Sequence, residues 1–214
     1  MASKRLFDVQ QVACARGGRL LFQNLSFHLA PGDVAHLSGP NGAGKTSLLR
    51  MLAGALPLTE GNILWQGEDF LKNNIASHTR RYSFLSADDR YLKGQETALE
   101  NLLFWARLQL AAKPEKAAKE ALARMDIVKL KDMPVRYLSA GQKRRLSLTR
   151  VFLKPAALWL LDEPFNGLDL HSYDLLINEL HAHTRTGGMA VIASHYAVSP
   201  PETGTLKRVE VGGR

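Results

Sequence analysis

The sequence holds little cysteine and no long apolar segment. Cys14 is the one cysteine among 214 residues, which excludes an internal disulfide framework and fits a reducing compartment. The longest apolar run, Ala156–Leu161, has the length of a strand, whereas a membrane-spanning helix needs about 20 apolar residues. The sequence therefore excludes a disulfide-stapled scaffold and a helix that crosses a membrane, and it predicts one well-packed core.

Acidic residues are scarce relative to basic ones. With 28 Lys and Arg against 20 Asp and Glu, the formal net charge is +8, for which nucleic acid, an anionic membrane surface or simple solubility could account. We interpret the densest basic cluster, Lys143–Arg145 with Arg150, as a helix face exposed to solvent or to a partner, and we do not expect nucleic acid as that partner. His181 and His183 stand two apart and point to different faces of a helix, which argues against a histidine metal site.

A glycine-rich segment matches the phosphate-binding pattern G-x-x-x-x-G-K-[ST]. It follows an apolar run, Val34–Ser38, and leads into a predicted helix at Leu48–Leu52. Backbone N–H groups and the positive end of the helix can face an anion, Lys45 can reach the β- and γ-phosphates and stabilise their charge, and Thr46 can offer its hydroxyl to Mg²⁺. The alternative is an ordinary glycine-rich turn. The residues expected to bind a nucleoside triphosphate are Gly39, Pro40, Asn41, Gly42, Ala43, Gly44, Lys45, Thr46 and Ser47.

Two consecutive carboxylates, Asp162 and Glu163, directly follow the apolar strand Leu158–Leu161. Open α/β sheets bind ligands at the carboxyl ends of their strands, and consecutive side chains there point in different directions, which permits two roles. We predict that Asp162 holds Mg²⁺ and that Glu163 is the catalytic residue that polarises the attacking water. The alternative is a helix N-terminus that merely favours acidic residues.

Two further polar positions occupy comparable places. His195 ends the run Val191–His195 and could contact the γ-phosphate as a catalytic residue, or it is a polar surface residue. Ser139 precedes a predicted helix, where its ordinary role is that of an N-cap. The alternative is a second anion-binding helix end, with the Ser139 hydroxyl and the Gly141 N–H group aimed at phosphate.

The order of elements predicts an α/β fold. Antiparallel strands at Leu6–Ala13 and Leu20–Leu29 precede the phosphate loop, and a capping box at Thr97–Glu100 opens a helical stretch. Helices and apolar strands alternate in the final third, which predicts a parallel sheet covered on both faces. The other predicted elements are a strand at Gly61–Gln66, helices at Thr97–Leu110, Glu115–Met125, Ala140–Leu153 and His171–Thr186, and strands at Ala157–Leu161, Met189–Ala193 and Leu206–Val211.

Together these motifs resemble those of the nucleotide-binding subunits of ATP-binding-cassette (ABC) transporters, in that family's order and over nearly the whole chain. The motifs are Gly39–Thr46, Leu138–Gln142, Leu160–Glu163, Gly167–Asp169 and His195. The resemblance implies one P-loop NTPase domain over 1–214, with a RecA-like parallel sheet core, an N-terminal antiparallel β subdomain and an inserted helical subdomain at about 97–153. It also implies a head-to-tail homodimer. Each ATP would then lie between the phosphate loop of one chain and Ser139, Gly141 and Gln142 of the other, with Asp169 at the seam.

Within that family, Leu64–Gly67, Glu100–Trp105 and Asp162–Phe165 are similar to the ATPase of the bacterial haem exporter that serves c-type cytochrome maturation. The similarity implies an ATP hydrolase that uses Mg²⁺, lies at the cytoplasmic face of the inner membrane and drives separate membrane-spanning subunits. Three alternatives stay open: an ABC ATPase for another small solute, a non-transport cassette ATPase, and a cassette that binds ATP without hydrolysing it. Haem as the cargo rests on the resemblance alone.

The sequence departs from the family pattern at two places. Arg16 stands where the family has an aromatic residue that stacks on adenine, and a guanidinium can also stack on a purine. Asp89 stands closest to the position of a glutamine that senses Mg²⁺, and a carboxylate there is expected to serve as a metal ligand with altered coupling to the membrane partner.

Overall fold

The computed structural model describes residues 6–71, 81–87 and 91–212. In this part of the chain the strands are β1 (Phe7–Arg16), β2 (Arg19–Leu29), β3 (Val34–Ser38), β4 (Glu60–Trp65), β5 (Glu68–Asp69), β6 (Tyr82–Leu85), β7 (Leu158–Asp162), β8 (Met189–Ala193) and β9 (Leu206–Glu210). The α-helices are α1 (Lys45–Leu52), α2 (Ala98–Leu108), α3 (Pro114–Arg124), α4 (Ala140–Thr149) and α5 (Leu170–Arg185).

The N-terminal strands form an antiparallel sheet with the order β2-β1-β4-β5. The predicted antiparallel arrangement is confirmed, because β1 pairs with β2 from Phe7 opposite Leu29 to Arg16 opposite Arg19. The strand β1 runs three residues beyond its predicted end at Ala13, and register shifts interrupt its pairing with β2.

The second sheet is parallel and has the order β6-β7-β8-β3-β9. Every pair in it is parallel, as the alternation of helices and strands predicts. The phosphate loop follows β3, Asp162 ends β7 with Glu163 directly after it, and His195 follows β8. These three strands are neighbours in the sheet. Their carboxyl ends therefore bring the three motifs to one edge of the sheet.

Apolar residues cover both faces of the parallel sheet. Along β7, Leu158 and Leu160 pack into a core shared with α1 and the antiparallel sheet, whereas Trp159 and Leu161 pack into a core shared with α2 to α5. Successive side chains of a strand point to opposite faces, so a strand between two layers must be apolar throughout. All five residues of β7 and of β8 are buried.

The helical stretch follows its predicted boundaries to within two residues, with one larger correction. The capping box of α2 is confirmed, since the Thr97 hydroxyl accepts the Glu100 N–H and the Glu100 carboxylate accepts the Thr97 N–H. The helix predicted for Ala140–Leu153 is α-helical only to Thr149 and continues as a 3₁₀ turn over Arg150–Phe152. Within the described ranges, none of the helices combines the length and the apolar character needed to cross a membrane.

Candidate functional site

The phosphate loop connects β3 to α1 through backbone conformations that glycine adopts readily. Gly39 has a φ of 140°, and a Cβ atom there would collide with the Val211 carbonyl oxygen. Gly44 has a φ of 105° and is the N-cap of α1. The Lys45 side chain folds back over the loop, where its Nζ donates to the carbonyl oxygens of Gly39 (2.7 Å) and Pro40 (3.2 Å). The loop therefore holds a buried cation beside the N-terminus of a helix.

The first residue of α1 beyond Lys45 contacts the end of β7. The Thr46 hydroxyl donates to Asp162 Oδ1 at 3.1 Å, across 116 residues of sequence. Asp162 is buried, and this burial raises the pKa of its carboxyl group, while the Thr46 hydrogen bond acts in the opposite direction. A hydroxyl and a carboxylate in contact are hard oxygen donors of the kind that Mg²⁺ binds.

Glu163 and His195 face each other at the ends of β7 and β8. Glu163 Oε1 lies 3.3 Å from His195 Nε2, and Glu163 Oε2 accepts the His195 backbone N–H at 3.4 Å. The Glu163 N–H donates to the Ala193 carbonyl oxygen at 2.8 Å, which extends the β7–β8 pairing by one residue. The Glu163 side chain is 14% exposed, so its carboxylate reaches solvent while its backbone is fixed.

A cleft of about 660 Å³ joins these groups. Arg16 lines it too, as the spacing ahead of the phosphate loop predicts. Two lining residues, Leu21 and Asn166, were not predicted. Leu21 carries no signal because it is an ordinary apolar residue of a strand. Asn166 is a turn amide three residues after Glu163, and this proximity to a predicted site residue is a signal that could have identified it. The lining residues are Arg16, Leu21, Asn41, Gly42, Ala43, Gly44, Lys45, Thr46, Ser47, Asp162, Glu163, Asn166 and His195.

Six predicted nucleotide contacts do not line this cleft: Gly39 and Pro40 at the start of the phosphate loop, and Ser139, Gly141, Gln142 and Asp169 at the starts of two helices. Ser139 is the N-cap of α4: its hydroxyl accepts the Gln142 N–H, and the Gln142 side chain accepts the Ser139 N–H at 2.9 Å. Gly141 lies in the first turn of the same helix. Asp169 is the N-cap of α5, and its hydrogen bonds from Ser172 lower the pKa of its carboxyl group. Within one chain these residues have structural roles, and their contact with a nucleotide stays a prediction.

The interpretation of the basic cluster as an exposed helix face is wrong for two of its members. Arg144 is 4% exposed and Arg150 is 8% exposed. The Arg150 guanidinium lies 3.6 Å from the ring centroid of Trp105 and 5.4 Å from that of Tyr91, so aromatic faces surround the cation. The predicted metal ligand Asp89 lies outside the described residues.

Comparison with known proteins gives concordant matches. Residues 22–166 match the family described as ABC transporter. A protein of Paramagnetospirillum magneticum, called cytochrome c biogenesis ATP-binding export protein CcmA, is 41% identical over 201 residues, which cover 93% of this chain and 92% of that protein. A protein of the same name from Methylococcus capsulatus is 42% identical over 185 residues, covering 86% of this chain and 88% of that one.

Solved structures share the fold. The ATP-binding subunit of an ABC transporter superposes with a TM-score of 0.78 at 21% identity, covering 89% of this chain and 79% of that one. A dimeric ATP-binding cassette in a post-hydrolysis state with ADP and Pi superposes with a TM-score of 0.78 at 19% identity, covering 89% and 88%. The P-loop NTPase fold predicted from the sequence is thereby confirmed. The chain belongs to the ABC transporter family, and it is an ATP-hydrolysing subunit of that family.

Proposed function

We propose that this subunit powers an exporter for cytochrome c biogenesis and that haem is the exported molecule. The main evidence for ATP hydrolysis is that one cleft is lined by Lys45, the Thr46–Asp162 pair and the Glu163–His195 pair. Support for the export part comes from the relatives at about 40% identity, whose names place them in cytochrome c biogenesis. Haem as the cargo follows from the resemblance of the sequence to the haem exporter ATPase.

The residues of the cleft divide the chemistry of hydrolysis among them. The Glu163 carboxylate would orient the attacking water and accept its proton, because it is the acid beside the phosphate loop that still reaches solvent. His195, in contact with that carboxylate, would hold its orientation and touch the γ-phosphate. Lys45 would leave the loop carbonyls and pair with the β- and γ-phosphates.

The residues present fit Mg²⁺. The Thr46 hydroxyl and the Asp162 carboxylate, which are in contact at 3.1 Å beside the phosphate loop, would be protein ligands of the ion. One or two protein ligands completed by phosphate oxygens and waters are usual for Mg²⁺. When bound, the ion would supply positive charge to the phosphate oxygens. Asp89 is proposed as a further ligand from its sequence position.

We also propose that the active unit is a head-to-tail homodimer docked on separate membrane-spanning subunits, at the cytoplasmic face of the inner membrane. Ser139 and Asp169 lie outside the cleft of their own chain, so a second chain would give the capped end of α4 a ligand to bind. The dimeric cassette with the same fold supports this arrangement.

The cargo can be tested in a bacterium that lacks the gene for this chain. We expect membranes of that strain to lose proteins with covalently bound haem, as seen by haem staining after denaturing electrophoresis. The wild-type gene should restore them, whereas the Lys45→Ala variant, produced at the same level, should not. Normal haem staining in the deletion strain would contradict this function and would favour an ABC ATPase for another solute.

A further inference from the structure

We propose that Arg144 is a positioning residue for hydrolysis, which holds the backbone of Glu163 in its reactive orientation. The inference rests on the proposed role of Glu163 as the residue that activates water. Arg144 itself does not line the cleft and would act only through Glu163.

The first observation is that a charged side chain is buried between two partly exposed basic neighbours. Arg144 is 4% exposed, whereas its neighbours Lys143 and Arg145 are each partly exposed. An arginine guanidinium keeps its charge, and burying it is costly unless hydrogen bonds compensate. Arg144 Nη2 donates to the Glu163 carbonyl oxygen, which is a charge-assisted hydrogen bond to the backbone of the proposed water-activating residue.

The second observation is the unusual backbone of Glu163. Its φ is 45°, a left-handed conformation that is unfavourable for a side chain of this kind and persists only where the surroundings impose it. Its N–H group is held by the Ala193 carbonyl oxygen, and its own carbonyl oxygen accepts both Arg144 Nη2 and, at 3.2 Å, the Asn166 N–H. Hydrogen bonds therefore fix the peptide units on both sides of Glu163, and the direction of its carboxylate depends on these bonds.

The third observation is that Arg144 and Ser139 belong to the same helix end. Ser139 caps α4, and Arg144 lies just over one turn into it. A rigid helix transmits a shift of its capped end to the guanidinium, so an event at Ser139 reaches Glu163 of the same chain. In the proposed dimer, Ser139 serves the nucleotide of the partner. Arg144 thus connects two ATP sites of the dimer. The Ser139 end of its helix contacts the nucleotide bound by the partner chain, and its guanidinium holds Glu163 at the site of its own chain.

The test compares Arg144→Met with Lys143→Met, a matched change on the adjacent residue of the same helix. Loss of one charge-assisted hydrogen bond corresponds to a change of about 10- to 100-fold in a rate constant. We therefore expect kcat for ATP hydrolysis to fall by that factor in Arg144→Met. Since the phosphate loop is untouched, the Kd for ATP measured by titration calorimetry should stay within about 2-fold of wild type. Lys143→Met should keep the wild-type kcat.

A second arm separates positioning from general destabilisation. If Arg144 acts through Glu163, Arg144→Met added to Glu163→Gln should lower the residual turnover no further, because residues that act as a unit are non-additive. Equal losses in both backgrounds, or an unchanged kcat in Arg144→Met, would overturn the proposal. Should Arg144→Met fail to fold, Arg144→Lys is measured instead: a kcat below wild type with unchanged Kd supports the proposal, and wild-type kcat refutes it.

The proposed roles of Glu163 and Arg144 are distinguished by different outcomes. If Glu163→Gln hydrolyses ATP at the wild-type rate, the proposed role of Glu163 is wrong and the role of Arg144 is wrong with it. If Glu163→Gln is slow and Arg144→Met is fast, only the role of Arg144 is wrong.

Discussion

At the scale of single residues, Glu163 is distinguished from Asp162 by environment rather than by chemical type. Asp162 is buried and bonded to Thr46, whereas Glu163 reaches solvent and contacts His195. The sequence predicts different roles for these two adjacent carboxylates, and their different surroundings support that prediction. The burial of Arg144 could not be predicted in the same way, because three consecutive basic residues carry no signal for which of them faces the protein interior.

Replacing Glu163 by Gln should separate binding from hydrolysis. The substitution keeps the size and polarity of the side chain but removes the proton acceptor, so ATP should bind as in wild type while turnover falls by about 100-fold or more. Titration calorimetry and a phosphate-release assay measure the two quantities. Glu120→Gln, an exposed site on α3, is the control and should be neutral. Wild-type turnover in Glu163→Gln would exclude the residue as the base.

At the scale of elements, the helices, the buried strands and the edge strand β9 were predictable, whereas the opposite edge strand, β6, was not. The run Leu158–Leu161 is apolar throughout because both of its faces are covered, and such a pattern is legible in a sequence. The edge strand β6 was missed. Its four residues, Tyr82–Leu85, include a serine, so the apolar pattern is interrupted. It forms a strand because it pairs with β7, where Tyr82 lies opposite Leu158, 76 residues later in the sequence.

The helix α4 begins with a residue for which two roles were predicted, and one substitution distinguishes them. Asp is as good an N-cap as Ser and suits the positive helix end, so Ser139→Asp should keep the melting temperature close to wild type. The added negative charge would repel a phosphate at the same place, so ATP hydrolysis should fall sharply. Thermal melts and turnover assays measure the two effects. Unchanged turnover would leave Ser139 with a capping role alone.

At the scale of the whole molecule, a partly buried histidine predicts how stability depends on pH. His183 stacks on Trp159 with ring centroids 4.0 Å apart, and burial lowers its pKa to about 4 from 6.5, against the opposing effect of its contact with the Met189 carbonyl. The unfolded chain binds more protons between these two values, so stability is fully present above pH 6.5 and is lost as the pH falls towards 4.

The loss from this group is on the order of 3 kcal/mol in the free energy of unfolding. Urea unfolding at several pH values measures it. His183→Phe keeps an aromatic ring on Trp159 and should flatten the decline between pH 6.5 and 4. The same replacement at the exposed His171 should leave the decline as in wild type. An equally steep decline in His183→Phe would assign the acid sensitivity to other groups.

In the proposed dimer, each ATP site is built from two chains, and a mixture of two variants tests this arrangement. If each site is shared, Lys45→Ala and Ser139→Asp should be inactive alone but partly active when mixed, since a mixed dimer has one site with both Lys45 and Ser139 intact. Steady-state turnover of the 1:1 mixture measures this, and each variant mixed with itself is the control. A mixture as inactive as its components would show that one chain holds the complete site.

The order of the parallel sheet also has a consequence for how the protein is made. The strand β3, which leads into the phosphate loop, pairs only with β8 and β9 among the described strands, and these lie at Met189–Ala193 and Leu206–Glu210. A growing polypeptide leaves the ribosome from its N-terminus, so the loop emerges long before either neighbour exists. The ATPase centre can therefore form only after β8, which His195 follows closely, has been synthesised.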